Sequence, residues 1–269
     1  MVRVLLIRGM LVGLVAGLLV FGVGRWVGEP HVDLAIAFEA QMDQGKAHEH
    51  AEAGAHSHTA AMPGMSKEEM GPEPVSRSTQ AGLGLFTGVV VYCAAFGGLF
   101  ALVFAFANGR AAQLGPRAVS ALLAGAGFVA VYFVPSLKYP ANPPAVGEPD
   151  TIGLRTALYF TLMLISIAAM VGAAILRRRL AARTDGWSAA LVAGAAYILV
   201  VGTAQGLMPD LNEVTEQFPA VLLWQFRLAS LGMQMVMWAT IGLLFGALTE
   251  RAASHRGAYG NGRLRMAGF

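Results

Sequence analysis

The chain has 269 residues, of which 56% are hydrophobic and only 13% are charged, and its formal net charge at pH 7 is +3. This balance is typical of a protein embedded in a lipid bilayer, and the small basic excess is too weak to indicate nucleic-acid binding. Cys93 is the only cysteine, which excludes a disulfide framework or a cysteine-based metal cage within one chain.

Six apolar runs are long enough to cross a hydrocarbon core about 30 Å thick, which takes about 20 residues of α-helix. They lie near 4–24, 83–107, 118–137, 156–176, 188–207 and 228–248. The runs are rich in Ala, Leu and Gly and do not alternate with polar residues, which excludes barrel strands. We therefore predict an all-α membrane protein: a six-helix bundle forming one domain over residues 1–250, followed by a tail at 251–269.

The first run is short and has basic flanks, as a secretory signal does, but no small-x-small cleavage pattern follows it. We expect it to be retained as a helix. Gly9, Gly13 and Gly17 are spaced to form one smooth helix face, and Gly242 and Gly246 repeat the device in the last run. Such faces predict close helix packing.

Clustered basic residues fall on alternate sides of the predicted helices, and this asymmetry indicates orientation in the membrane. They are Arg3, Arg8, Arg110, Arg117, Arg177, Arg178, Arg179, Arg183, Arg251, Arg256, Arg263 and Arg265. The positive-inside rule predicts that both termini are cytoplasmic in a bacterial inner membrane. Outer loops are then expected at 25–80, 138–155 and 208–227.

The first outer loop contains a histidine-rich stretch, HEHAEAGAHSH, with His48, His50, His56 and His58. Neutral imidazole is a good ligand for divalent first-row metals, so the stretch predicts metal contact without naming the metal. The alternative is a flexible, solvated linker.

The other two outer loops carry oxygen ligands next to prolines. Asn142 lies in the second loop, which is rich in proline and cannot be helical throughout. Asp210, Asn212 and Glu213 lie in the third. These side chains predict a polar mouth across the bundle, at which a metal ion would be bound; the alternative is a solvated connector.

Similar Ala-Gly cores precede the second and third outer loops, and an arginine follows each of the three: Arg77, Arg155 and Arg227. The pattern predicts three parallel helical hairpins related by an axis along the membrane normal. An arginine near hydrocarbon needs a partner. The predicted partners are Glu73 for Arg77, Glu148 or Asp150 for Arg155, and Asp210 or Glu213 for Arg227.

Sequence motifs for ATP hydrolysis or metalloprotease chemistry are missing, because neither GxxxxGK[ST] nor HExxH occurs. We therefore expect no enzymatic activity.

Two segments, VPSLKYPANPPAVGEPDTIGLRTALY and PDLNEV with FPAVLLWQFRLASLG, resemble the CbtA family of cobalt transporter membrane subunits. The resemblance covers most of residues 5–250. It implies a role in cobalt uptake, a link to cobalamin supply, and a small single-helix partner, CbtB, that carries a His-rich end. The family is usually described with about five membrane helices, whereas six are predicted here.

Together these features predict a membrane subunit that moves Co²⁺ or a similar divalent ion inward, with no permanently bound cofactor and no nucleic-acid partner. The expected partners are the lipid bilayer and a CbtB-like subunit, and a homo-oligomer is compatible with this reading. Two competing classes remain open: a membrane metal sensor or scaffold that does not transport, and a nickel or copper efflux permease.

Overall fold

The structure is a computed structural model, which describes the backbone of residues 2–54, 75–108, 114–147 and 149–266 and the side chains of 2–45, 75–108, 114–147 and 150–254. In these ranges all regular structure is helical. The α-helices are α1 (Val2–Val23), α2 (Glu29–Gly54), α3 (Arg77–Thr79), α4 (Leu85–Asn108), α5 (Pro116–Gly127), α6 (Val134–Lys138), α7 (Ile152–Leu180), α8 (Gly186–Leu207) and α9 (Ala220–Met266). Shorter π-helical segments occupy Gly24–Gly28, Gln80–Gly84 and Phe128–Phe133, and a 3₁₀ turn occupies Pro149–Thr151.

Within the described part of the chain, six continuous helices are long and apolar enough to cross a membrane, which confirms the predicted all-α bundle. We number them as the first to the sixth span: Val2–Gly45, Arg77–Asn108, Pro116–Lys138, Ile152–Leu180, Gly186–Leu207 and Ala220–Ser254. The first three each combine two α-helices through a π-helical segment.

The first helix continues far beyond the apolar run that predicted it. It passes through the π-helical segment and ends only at Gly54, so much of the segment predicted as an outer loop is helical. The reason is local: the π-helical segment Gly24–Gly28 lies just before Pro30, which has no amide hydrogen to donate, and the chain after Pro30 is rich in Ala, Glu and Gln, which favour helix. The 26 residues of α2 measure about 39 Å along the axis.

Glycines bring the first two spans into backbone contact. A Cβ added to Gly13 would lie 2.2 Å from the carbonyl oxygen of Cys93, and one added to Gly9 would lie 2.2 Å from that of Gly97. A Cβ on Gly242 of the sixth span would lie 2.4 Å from the Cβ of Ala124 in the third. The predicted smooth faces are therefore confirmed as packing surfaces.

The first, second, third and sixth spans surround a core of apolar and aromatic side chains. Phe104 and Phe245 meet edge to face with ring centroids 5.0 Å apart, and Phe100 contacts Phe245 at 5.5 Å. Met237 and Ile241 complete the buried layer.

Polar contacts join these spans at the end of the bundle that carries the arginine clusters, which we call the basic end. Arg8 donates a hydrogen bond to Thr249 Oγ1 at 3.2 Å, and Arg117 Nε lies 3.0 Å from Glu250 Oε2. Between the fourth and fifth spans, Asp185 caps α8. Its carboxylate accepts hydrogen bonds from the backbone of Ser188 and Trp187, and these bonds lower its pKa.

The fourth and fifth spans form a hairpin beside this bundle. The hairpin packs on the rest of the described chain chiefly through the part of the third span formed by residues 128–138. By contrast, the first and second spans pack along their length, whereas the fifth and sixth do not. The three predicted hairpins are thus packed differently, and the threefold repeat is not confirmed.

Candidate functional site

Two loops meet at the end of the bundle opposite the basic end. We call this end the mouth and define it by residues 138–155 and 208–219. The Lys138 ammonium forms an ion pair with Asp210, and the Tyr139 hydroxyl donates to the carbonyl of Pro209 at 2.8 Å. Burial raises the pKa of Tyr139, with Lys138 opposing the shift. These contacts hold the start of the first loop against the start of the second.

Glu213 is the central acceptor of the mouth. Its side chain is only 6% exposed, and it forms an ion pair with Arg155. Thr151 Oγ1 donates to the other carboxylate oxygen, and Asn142 Nδ2 lies 3.5 Å from Oε2. A buried carboxylate needs such donors because burial removes its water.

The loop backbone approaches this ion pair closely at Gly147. Its φ of +113° is a conformation that side chains rarely adopt, and a Cβ there would lie 3.2 Å from both Arg155 Nη1 and Glu213 Oε2. Glycine therefore allows the loop to cover the ion pair.

Arg227, at the start of the sixth span, reaches the same network through Asn142. Its Nη2 donates to Asn142 Oδ1 at 3.0 Å, while its Nε is buried without a partner. Asn142 thus links two elements, accepting from Arg227 and donating toward Glu213. The linked group contains two guanidinium groups and one carboxylate.

Arg77 pairs within its own hairpin. Its Nη2 forms an ion pair with Glu29, which is buried, and lies 3.0 Å from Asp33 Oδ1. Both carboxylates lie on the extension of the first helix. That extension also contacts the mouth, because Phe38 packs edge to face on Phe218 at 5.3 Å.

The pairings predicted for Arg155 with Asp150 and for Arg227 with a carboxylate are wrong, whereas those with Glu148 and Glu73 stay predictions. Arg155 binds Glu213 of the third loop in place of Asp150, and Glu148 lies outside the residues whose side chains are described. The partner of Arg227 is the amide of Asn142, not a carboxylate. Arg77 binds Glu29 and Asp33, and its predicted partner Glu73 lies outside the described residues. The predictions assumed nearby partners, whereas the fold brings distant loops together.

The predicted oxygen ligands of the mouth differ in their surroundings. Asn142 and Glu213 are brought together, with Nδ2 and Oε2 3.5 Å apart. Asp210 pairs with Lys138, but its side chain is 92% exposed, and Asn212 is also exposed. Among the residues whose side chains the structure describes, no three His, Cys, Asp or Glu are grouped closely enough to hold a metal ion.

His48 and His50 lie on the part of α2 that extends beyond its contact with the mouth. Only their backbone is described, and His56 and His58 lie outside the described residues. Ala35 of the same helix is buried against the mouth. His48 is 13 residues further along the helix, which places it about 20 Å away.

Sequence reasoning missed Thr151 and Gly147 as parts of the mouth. Thr151 has no neighbouring motif, so no local signal identified it. Gly147 was recognisable as a turn residue, but only the fold shows that it lies on the ion pair.

A bundle of six apolar helices with a buried, ion-paired polar network at one end defines an integral membrane protein. Residues 2–250 match the family model described as "probable cobalt transporter subunit (CbtA)", and the chain therefore belongs to the CbtA family. No curated protein and no solved structure matches the chain.

Proposed function

We propose that this chain is the membrane subunit that carries Co²⁺ inward through a bacterial inner membrane, and that the ion enters at the mouth. The observation that carries the proposal is Glu213, a carboxylate held at the end of an apolar bundle by Arg155, Thr151 and Asn142. A buried carboxylate beside an amide oxygen is a ligand pair that can replace water around a divalent ion.

The mouth offers its ligands at two depths. Asp210 and Asn212 are exposed and would meet the hydrated ion first, while Glu213 and Asn142 would bind it after partial dehydration. The ion must displace Lys138 and Arg155 from their carboxylates. Weak, successive coordination of this kind lets an ion leave as well as enter. Co²⁺ is then cargo, and the proposal requires no resident cofactor and no catalytic step.

The histidine-rich segment would capture the ion before it reaches the mouth. His48, His50, His56 and His58 supply imidazole, which binds first-row metals well. His48 lies ten residues beyond Phe38, which packs on the mouth, so its backbone is about 15 Å further along α2. We therefore assign these histidines a concentrating role and the mouth a conducting one.

The charge distribution supports an orientation with both termini and the tail 251–269 in the cytoplasm. A periplasm-dependent reporter fused after Gly109 or Asp185 is expected to be silent, and one fused after Gly147 is expected to be active. The reverse pattern would invert the proposed direction of transport.

The family is described as a transporter subunit, so we also propose a partner within the bilayer. The proposed partner is a small single-helix protein of the CbtB type, and a homo-oligomer is compatible with the proposal. The sequence lacks a phosphate-binding loop, so the chain itself supplies no ATP-driven step.

The test is uptake of radioactive cobalt by cells and by proteoliposomes containing the chain, with and without the partner. Glu213→Gln is expected to lower uptake at least about tenfold, because the ion loses its only buried carboxylate among the described mouth residues. Glu216→Gln, an exposed change in the same loop, is the matched control. Cobalt binding without uptake in every preparation would instead favour a sensor or scaffold.

A further inference from the structure

The α-helical hydrogen-bonding pattern of the third span is interrupted close to the mouth. Pro135 has no amide hydrogen, so the carbonyl of Val131 lacks the donor that a regular α-helix would provide. The hydroxyl of Tyr159, from the fourth span, approaches that carbonyl at 3.3 Å. A neighbouring contact joins Gln205 Nε2 of the fifth span to the carbonyl of Val134 at 2.9 Å. Polar side chains of two spans thus contact the interrupted backbone of a third.

A cavity of about 360 Å³ lies beside this interruption. Hydroxyl groups of the third and fourth spans contribute to its wall, and Arg155 and Asn142 lie at its mouth side. The hydroxyl residues are Tyr132, Ser136, Thr156 and Tyr159. Neutral oxygens of this kind can contact a partly hydrated cation without trapping it.

One face of the fourth span runs from the cavity toward the basic end and carries three polar residues and one leucine. Arg155, Tyr159, Leu162 and Ser166 are spaced by four, three and four residues, which places them on the same face of a helix. Ser166 is fully buried about 16 Å below Arg155, and its hydroxyl lies 2.8 Å from that of Tyr197 in the fifth span. Leu162, which has no exposed surface, lies on this face between Ser166 and Tyr159, which lines the cavity.

Below Ser166 the fourth and fifth spans pack directly on each other, with Ala189 and Ala193 of the fifth span buried. The other candidate route, through the centre of the first, second, third and sixth spans, is filled by Phe100, Phe104 and Phe245.

We infer that the divalent cation follows the seam between the third, fourth and fifth spans and not the centre of the bundle, with Leu162 as the constriction between the cavity and the Ser166–Tyr197 pair. The inference rests on the proposed transport function and specifies its route. Along this route the cavity lies on the mouth side of Leu162, and the close packing of the fourth and fifth spans lies on the basic side.

The route is testable without any metal, by reaction of single cysteines with a charged, membrane-impermeant thiosulfonate added on the mouth side of proteoliposomes. Cys93→Ala provides a background without cysteine. Thr156→Cys is expected to react rapidly and Ser166→Cys at least about tenfold more slowly. Adding Leu162→Ala should accelerate the reaction at position 166 severalfold. Leu164→Cys is the matched control, because Leu164 is 63% exposed on the outside of the same helix and should stay unreactive in lipid.

The proposed route along the seam would be contradicted by either of two results. One is a reaction rate at position 166 that Leu162→Ala does not change, and the other is rapid reaction of Phe104→Cys in the bundle core. Uptake provides the second arm. Leu162→Trp is expected to lower cobalt uptake at least about tenfold, whereas Leu164→Trp should leave it unchanged, both compared at equal amounts of folded protein. Equal uptake by the two variants would reject the route but would leave the proposed transport function in place. If the single-cysteine variants show the labelling pattern but the wild-type protein takes up no cobalt, the proposed function is rejected and the water-accessible seam stands.

Discussion

Arg227 donates a hydrogen bond to Asn142 across 3.0 Å and 85 positions of sequence. The bond ties the start of the sixth span to the loop between the third and fourth. Because Asn142 also approaches Glu213, one amide orients both a guanidinium and a carboxylate. Removing the hydrogen bond between Arg227 and Asn142 should therefore lower the stability of the mouth even when no ion is present.

Asn142→Ala is expected to destabilise the protein by about 1–3 kcal/mol, since it leaves Arg227, whose Nε is already unpartnered, without its acceptor. Thermal unfolding in detergent measures the effect. Asn212→Ala changes the same residue type at an exposed position and should remain within about 0.5 kcal/mol of wild type. Equal losses in the two variants would show that the link to Arg227 contributes nothing.

The two ion pairs of the mouth should differ in strength. A double-mutant cycle on Arg155 and Glu213 is expected to give a coupling energy of about 1–3 kcal/mol, because the carboxylate is only 6% exposed. The cycle on Lys138 and Asp210 should give less than about 1 kcal/mol, because Asp210 is 92% exposed and water screens the pair. Denaturation of the single and double variants provides both values; a larger coupling at Asp210 would contradict the assigned burial.

Backbone contact between the first two spans predicts a sharp difference between glycines of one helix. Gly13→Ala places a Cβ against the Cys93 carbonyl and is expected to cost about 1–3 kcal/mol. Gly22→Ala meets no atom within 4 Å and should be neutral or slightly stabilising. Unfolding temperatures of the two variants in the same detergent decide the matter, and similar values would mean that the two helices pack less closely than described.

Replacing His48, His50, His56 and His58 together by alanine should lower cobalt uptake at limiting metal and leave the maximal rate unchanged. The reason is that the role proposed for this segment is to concentrate ions before they reach the mouth, and not to conduct them. His31→Ala is the control, because His31 Nδ1 lies 2.6 Å from the Val27 carbonyl of its own helix. A proportional loss at every cobalt concentration would place the histidines in the path.

The fold was predictable from sequence wherever a single helix decides the outcome. Length and apolarity defined six spans, and the spacing of Gly9, Gly13 and Gly17 identified the packing face. Contacts between distant loops were not predictable, because nothing near Arg155 in sequence indicates Glu213, 58 positions away. Asn142 and Glu213 were identified as polar groups of the mouth, but their attachment to arginines required the fold.

The hairpin of the fourth and fifth spans is held to its neighbours near the mouth, whereas contacts at the basic end, from Arg8 to Thr249 and from Arg117 to Glu250, join only the first, third and sixth spans. The described contacts of this hairpin with its neighbours thus lie toward the mouth, among them the Arg155–Glu213 ion pair. The half of the hairpin near the basic end is therefore restrained mainly by the packing of its two helices on each other and by the surrounding lipid.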